Sequence, residues 1–212
     1  MRDADVRASV LRMLNEHHSA DTDTRIVEEM GIWSGSARID IAVINGELTG
    51  YELKSDRDTL DRLPLQEGLY SRVFDRVILV VGQKHAAAAR QKVPKWWGVT
   101  VAKGSGDDIS LTTRRAPKPN PKVDPYLLAK LLWRSEALEV LAAADLAKGW
   151  RTKPVDELHR RLSVQLDLHT LSSYVRAALK ARIAWLGQAS SDERKMTAGA
   201  YADPSSATAD AS

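Results

Sequence analysis

Residues 38–54 read RIDIAVINGELTGYELK and contain two apolar runs separated by a turn. The first run, residues 38–44, alternates between apolar and other side chains as a half-buried strand does. Asn45-Gly46 is the strongest short signal for a β-hairpin, and a second run follows over residues 48–53. The two runs are therefore predicted to pair as antiparallel strands.

The segments on either side of this hairpin extend the pattern. Residues 5–16 carry apolar side chains at helical spacing, and residues 24–31 are predicted to form a first strand. A helix is predicted over residues 59–72, and the apolar run at residues 77–81 is typical of a parallel strand buried on both faces. This order predicts an α/β fold with an αβββαβ core and a mixed sheet.

The core is predicted to continue beyond this strand. Residues 83–92 indicate a short helix, and residues 99–102 and 109–112 indicate two further strands, the second at an edge of the sheet. Between this helix and the first of these strands lie two adjacent tryptophans, Trp96 and Trp97. We expect one of the two in the core and the other at its rim, rather than both stacked on bases.

A basic, proline-rich stretch at residues 114–125 is predicted to be a stiff, solvated linker. It divides a core at residues 1–113 from a smaller all-α C-terminal module at residues 126–187. Residues 188–212 are poor in large apolar groups, which predicts a disordered tail. The module is predicted to have three helices, the last two with helix-turn-helix character, at residues 126–141, 154–166 and 171–186.

The composition limits the classes of protein that this chain can represent. Among its 212 residues there is no cysteine, which excludes disulfides, thiolate metal ligands and cysteine catalysis. The net charge of +3 permits a polyanionic partner without requiring one. A charged, amphipathic N-terminal segment and the lack of long apolar runs predict a cytoplasmic protein that does not associate with a membrane.

The hairpin carries charged side chains inside its apolar runs. Asp40 lies in the first strand, and Glu52 and Lys54 share one face of the second. A carboxylate is costly to bury unless it is paired or bound to a cation, and two nearby carboxylates favour a hard divalent ion. The backbone carbonyl of Leu53 is a further candidate ligand. The alternative is a solvated strand face with cross-strand ion pairs.

These residues resemble the motif of the PD-(D/E)XK nuclease superfamily, whose restriction-endonuclease-like core has the same αβββαβ order. Asp40 matches the first acid of the motif, and Glu52-Leu53-Lys54 matches (D/E)-X-K. The chain departs from the strict pattern because Ile39 stands where the proline is expected. The resemblance implies that Asp40 and Glu52 bind Mg²⁺ or Mn²⁺, while Lys54 orients the attacking water and stabilises charge on the phosphate.

The helix after the hairpin adds to this resemblance. Gln66 and Tyr70 match the Gln-x-x-x-Tyr motif of RecB-like members, which implies that they orient Lys54 or the phosphate. Because positions four apart share a helix face, Asp58 and Arg62 are predicted to lie on the same ridge. The segments at residues 94–98 and 131–138 also resemble a group of uncharacterised bacterial and phage proteins of this superfamily.

Members of this superfamily often carry one more acid earlier in the chain. Glu29 is the preferred candidate for this further metal ligand, followed by Glu28 and then Glu16. The sequence leaves these three alternatives open.

Candidate contacts to nucleic acid lie near the motif and in the C-terminal module. Arg38 and Arg62 belong to the first group, and Arg176 and Lys180 form an i, i+4 pair in the second. The basic linker could also follow a phosphate backbone. The alternative for the helical module is a bundle with solvated basic residues, or a dimerisation element that makes the protein a homodimer.

Together these features predict a Mg²⁺- or Mn²⁺-dependent nuclease that hydrolyses DNA, in a repair, recombination, phage or defence setting. Single-stranded, double-stranded and branched DNA remain alternatives as substrates, and so does RNA. A rival hypothesis is a catalytically inactive module on the same fold that binds nucleic acid or a protein.

Overall fold

The sheet is the framework of the molecule, which is described here from a computed structural model over residues 1–32, 37–106 and 108–183. Within these ranges six strands form one sheet in the order β1 to β6. Their bounds are β1 Arg25–Ile32, β2 Ala37–Ile44, β3 Leu48–Lys54, β4 Arg76–Gly82, β5 Gly98–Ser105 and β6 Asp108–Arg115.

Seven α-helices flank or follow the strands within the same described ranges. A short 3-10 turn, Gln83–His85, leads directly into the third of these helices. Their bounds are α1 Asp3–His17, α2 Leu63–Tyr70, α3 Ala86–Lys92, α4 Pro125–Ala129, α5 Arg134–Ala143, α6 Val155–Gln165 and α7 Leu168–Ala181.

The sheet is mixed, as predicted. Strands β1, β2 and β3 are antiparallel neighbours, so the predicted hairpin is confirmed. The central strand β4 runs parallel to both β3 and β5, as its apolar run predicted. The strand β6 pairs antiparallel with β5 along the edge. The predicted αβββαβ order and the α/β fold class are therefore confirmed.

Helix α1 covers one face of the sheet. Its residues Val6, Val10 and Leu14 are fully or almost fully buried. They pack with apolar side chains from several strands of the sheet, among them Ile41, Val43, Leu53, Val80 and Ala102. Burying this stripe fixes the helix against the sheet, because removal of apolar surface from water is the main stabilising contribution in such a core.

The tryptophans are placed as predicted. Trp97 is completely buried and stacks against Tyr70 at a ring-centroid distance of 6.3 Å. Trp96 is half-buried beside it. The pair therefore contributes mainly to the core.

Helix α2 is shorter at its start than the sequence predicted, beginning at Leu63 instead of residue 59. The Asp58 carboxylate accepts hydrogen bonds from the Ser55 N–H at 2.7 Å and from the Ser55 hydroxyl at 2.6 Å. These bonds hold a turn in place of the first helical residues, because aspartate and serine side chains compete with the helix for backbone groups.

The predicted helix at residues 126–141 is divided into α4 and α5. The Trp133 N–H donates to the Glu136 carboxylate at 2.7 Å, which caps the start of α5. Helix α7 begins earlier and ends earlier than predicted, with Asp167 at its N-cap. Ile183 lies within the predicted helix at residues 171–186, where its spacing predicts a buried side chain, and this is wrong because the residue follows α7 and is 97% exposed.

The proline-rich segment is tied to the core by hydrogen bonds. The side-chain amide of Asn120 donates to the carbonyls of Ser71 and Phe74, both at 2.8 Å. Arg114 and Arg115 belong to β6. Met1–Arg182 form one compact unit, so the helical module is continuous with the core in this unit, and its status as a domain of its own stays a prediction.

Two further predictions concern the C-terminal tail and association with a membrane. The predicted disordered tail at residues 188–212 lies outside the described residues. Within the described residues, no helix is long and apolar enough to cross a membrane.

Candidate active site

An open, mainly polar cleft of about 480 Å³ lies where β2 begins and β3 ends, beside the start of α2. Most of the residues singled out in the sequence meet here. The predicted residues that line it are Glu29, Arg38, Asp40, Glu52, Leu53, Lys54, Arg62 and Gln66. Reasoning from the hairpin spacing thus located a real concave surface.

Glu52 is the buried acid of this cleft, with a side chain only 2% exposed. It points away from α1, because its neighbour Leu53 packs in the α1 cluster. Its Oε1 accepts hydrogen bonds from Lys54 Nζ at 2.6 Å and Gln66 Nε2 at 2.5 Å. Its Oε2 is buried and has no hydrogen-bond partner within the described residues.

Burial changes the acidity of Glu52. Loss of hydration and, second to it, the nearby Asp40 carboxylate raise the pKa of its carboxyl from 4.5 to about 7. The ammonium of Lys54 acts in the opposite direction. The carboxyl therefore titrates near neutral pH, and its charged form needs a cation beside it.

Asp40 is held at both of its carboxylate oxygens. Oδ2 accepts the Leu53 N–H at 2.7 Å, and Oδ1 accepts Arg7 Nη2 at 2.9 Å. Arg7 Nη1 also donates to the Asp40 carbonyl at 3.0 Å. Burial raises the pKa of the Asp40 carboxyl, although the Leu53 N–H and Arg7 both act to lower it.

The sequence reasoning missed Asp3, which lines the cleft, and Arg7, which pairs with Asp40. Arg7 Nη2 also lies 2.7 Å from Glu29 Oε1, and its Nε lies 3.6 Å from Asp3 Oδ2. The Glu28 carboxylate is 3.9 Å from Nη1. The only local signal was the i, i+4 spacing of Asp3 and Arg7, which is common on exposed helices and does not indicate a buried contact.

The candidates for the earlier acid are now distinguished by position. Glu29 lines the cleft and adopts a positive φ of 53°, which is uncommon for a residue other than glycine. Its Oε1 pairs with Arg7 at 2.7 Å and its Oε2 lies 3.5 Å from Arg38 Nη1. Glu16 is exposed near the end of α1.

The predicted Gln66–Tyr70 pair acts on Glu52 in this structure. Gln66 Nε2 contacts Glu52, and it lies 3.4 Å from the Tyr70 hydroxyl. That hydroxyl donates to the Arg38 carbonyl at 2.6 Å, and burial followed by the charge of Glu52 raises the Tyr70 pKa. Gln66 therefore holds Glu52, and the expectation that Gln66 and Tyr70 orient Lys54 or the phosphate stays a prediction.

The predicted nucleic-acid contacts fall into two groups. Arg62 is exposed and lines the cleft, and the side chain of Arg38 is 55% exposed at the same cleft. Arg176 instead lies 3.6 Å from Asp75, and Lys180 lies 2.5 Å from Asp23. These two pairs connect α7 to residues beside the sheet, and a role of Arg176 and Lys180 in phosphate binding stays a prediction.

The donor set agrees in its chemistry with the hard divalent ion that the sequence suggested. Asp40 and Glu52 supply carboxylate oxygens in one cleft. Oε2 of Glu52 is a buried carboxylate oxygen without a partner within the described residues, and such an oxygen is a suitable ligand for a cation. Within residues 1–32, 37–106 and 108–183, no three histidine, cysteine or acidic side chains are arranged together to hold a metal ion.

Comparison with known proteins gives a family for the chain. A family model described as Bacteriophage P4 protein cII matches residues 1–192. The chain belongs to this family. Protein cII of Enterobacteria phage P4 is 24% identical over 186 residues, which cover 86% of this chain and 68% of that protein. The family description names no activity, so the function is argued from the cleft.

One solved structure is also similar to the chain. It is a protein of unknown function from Silicibacter pomeroyi, 20% identical, with a TM-score of 0.44. The match covers 73% of this chain and 98% of that one.

Proposed function

We propose that this protein is a PD-(D/E)XK-type nuclease that hydrolyses phosphodiester bonds of DNA with Mg²⁺ or Mn²⁺. The observation that carries the proposal is the buried Glu52 carboxylate, which shares an open cleft with Asp40 and Lys54 and keeps one oxygen unpartnered within the described residues. A purely structural acid would have both oxygens satisfied, because an unpartnered buried charge is costly.

In the proposed reaction, the side chains of the cleft have different roles in phosphodiester hydrolysis. Asp40 and Glu52 would hold the ion, which when bound supplies positive charge to the phosphate oxygens. Lys54 places an ammonium beside Glu52, where it can orient water and stabilise charge that develops on the phosphate. Gln66 fixes the rotamer of Glu52 by holding Oε1.

The rim of the cleft offers contacts for a polyanion. Arg62 and Arg38 lie at the cleft with exposed side chains. Phosphate contacts from such residues position a nucleic acid without reading its sequence. This arrangement favours binding of a nucleic acid through its phosphate backbone, close to Asp40 and Glu52.

The proposal is tested with purified full-length protein and four substrates: single-stranded, double-stranded and branched DNA, and RNA. Each is incubated with Mg²⁺, Mn²⁺ or EDTA. Cleavage is expected with a divalent ion only, and it should be lost in Asp40→Asn and Lys54→Ala. Lys103→Ala, at an exposed lysine of β5, serves as the matched control. Equal cleavage by wild type and Asp40→Asn would refute the assignment.

A second candidate function is a catalytically inactive module that binds nucleic acid. Arg7 favours it, because its guanidinium already pairs with Asp40 at 2.9 Å and Glu29 at 2.7 Å. This candidate predicts DNA binding that survives Asp40→Asn and Lys54→Ala without any cleavage. Binding that weakens steeply as salt is raised would identify phosphate contacts. Absence of any binding would favour a protein-interaction role.

A further inference from the structure

The guanidinium of Arg7 lies against acidic residues that line the cleft. Four carboxylates surround it, belonging to Asp3, Glu28, Glu29 and Asp40, at distances from 2.7 to 3.9 Å. The Arg7 side chain is only 17% exposed. A buried guanidinium at this place already supplies the positive charge that neighbouring carboxylates require.

The position of Arg7 is fixed by its helix. Its neighbour Val6 and the following Val10 are completely buried in the core cluster that joins α1 to the sheet. Arg7 therefore extends from a rigid element, and its three bonds to Asp40 and Glu29 are made without moving α1. A side chain held in this way competes efficiently with a metal ion for the carboxylates, because it loses little conformational freedom when it binds them.

Arg7 pairs with carboxylate oxygens that a divalent cation would need as ligands. Of the two oxygens of Asp40, one accepts the Leu53 N–H and the other accepts Arg7. Of the two oxygens of Glu29, one pairs with Arg7 and the other faces Arg38. Glu52 is not among the carboxylates that pair with Arg7. Asp40 and Glu29 are thus paired with arginine, whereas Glu52 is paired with Lys54 through Oε1 and keeps Oε2 without a partner within the described residues.

We propose that Arg7 is a built-in counterion that sets the metal affinity of the cleft. A divalent ion binds Asp40 only when the Arg7 guanidinium leaves Asp40 and remains with Asp3 and Glu28, which are already within 4 Å of it. Arg7 is thereby a positioning residue, which acts through Asp40. This inference rests on the proposed function, because it concerns the ion that the same acids would hold.

Metal affinity of the full-length protein measures this competition directly. Binding of Mn²⁺ alone is followed by the electron paramagnetic resonance of the free ion, without nucleic acid. In Arg7→Gln the competing charge is gone, so Mn²⁺ should bind at least about tenfold more tightly than to wild type. Arg90→Gln, at an exposed arginine of α3, removes the same charge far from these contacts and should leave the affinity within about twofold of wild type.

A second readout uses the wild-type protein and does not depend on the variant folding. The Nε–H resonance of Arg7 is observed by nuclear magnetic resonance while Mg²⁺ is added, and it is assigned by its absence from an Arg7→Lys spectrum. The signal should shift and exchange faster with water as Asp40 is released. An unchanged signal at saturating Mg²⁺ would overturn the inference, and so would equal Mn²⁺ affinities of Arg7→Gln and Arg90→Gln.

The outcomes separate this inference from the proposed function. Tighter Mn²⁺ binding by Arg7→Gln with no cleavage by any form would support the role of Arg7 and refute nuclease activity. Metal-dependent cleavage by wild type with no effect of Arg7→Gln on Mn²⁺ affinity would do the reverse. If neither form binds Mn²⁺, the inference about Arg7 is refuted.

Discussion

At the scale of single residues, the site depends on a carboxyl that folding keeps out of water. Glu52 has a pKa raised to about 7 by burial and then by Asp40, while Lys54 and Gln66 hold one of its oxygens. The other oxygen has no partner within the described residues. An acid in this environment is poorly suited to a structural role and well suited to binding a cation.

The pH dependence of folding stability tests this description of Glu52. Because the folded pKa is about 7 and the unfolded value is 4.5, the folded state binds more protons between these values, so stability falls as pH rises through this window. Glu52→Gln removes this loss. Relative to wild type, the variant should therefore gain up to about 3 kcal/mol between pH 4.5 and pH 8.

The measurement is the free energy of unfolding by urea, with EDTA present, across this pH range. Glu139→Gln replaces an exposed acid of α5 and should follow the wild-type profile. A constant difference between Glu52→Gln and wild type at every pH would show that the carboxyl titrates normally.

Local spacing explains which site residues the sequence could predict. Glu52 and Lys54 share a strand face because they are two apart, and Gln66 reaches Glu52 because a helix follows the hairpin. Arg7 could not be predicted in this way. Its contact with Asp40 joins residues 33 positions apart, and it depends on how α1 crosses the sheet.

At the scale of elements, the structure assigns different roles to arginines that look alike in the sequence. Arg62 precedes α2 and is exposed at the cleft. Arg176 on α7 has a side chain that is only 16% exposed and lies 3.6 Å from Asp75. The exposed guanidinium of Arg62 is the proposed phosphate contact, whereas that of Arg176 is paired and mostly buried and contributes to packing between α7 and the core.

Substitution of these arginines should therefore separate binding from stability. Arg62→Gln should weaken DNA binding and reduce the slope of log affinity against log salt by about one, as for one lost phosphate contact. Arg176→Gln should leave this slope unchanged and lower the free energy of unfolding. Fluorescence anisotropy at several salt concentrations measures the first effect. The opposite result would place the nucleic acid on α7.

Element boundaries were predicted less well than element types, for a physical reason. The strands of the hairpin and β4 follow from patterns that persist over several residues. The break between α4 and α5 depends on one cap, in which Glu136 accepts the Trp133 N–H. The apolar spacing on both sides of this cap is compatible with a continuous helix, so the sequence pattern did not reveal the break.

At the scale of the whole molecule, a buried ion pair joins the end of α7 to the first turn of α5. Arg182, after α7, donates to both carboxylate oxygens of Glu136 on α5, at 2.6 and 2.5 Å. The guanidinium also lies over the Trp133 ring at 4.4 Å and bonds the Leu131 carbonyl. These contacts hold Arg182, the last residue of the compact unit, against α5.

Breaking this pair should cost far more stability than breaking an exposed pair. Glu136→Gln removes the carboxylate that accepts two hydrogen bonds from the buried Arg182 guanidinium, so the free energy of unfolding should fall by about 3–5 kcal/mol. The control is Glu157→Gln, which removes the exposed Lys153–Glu157 pair at 3.4 Å and should cost less than about 1 kcal/mol. Equal losses in urea unfolding would contradict a stabilising role for the buried pair.

The proposed chemistry is tested most directly by the rate of DNA cleavage by wild type and Lys54→Ala, measured in Mn²⁺ and again in EDTA. The ammonium of Lys54 lies 2.6 Å from the buried Glu52, and loss of one such charge-stabilising group costs about a hundredfold or more in rate. We therefore predict cleavage by wild type in Mn²⁺ only, with at least about a hundredfold loss in Lys54→Ala. Equal rates for both proteins, or cleavage that persists in EDTA, would contradict this prediction.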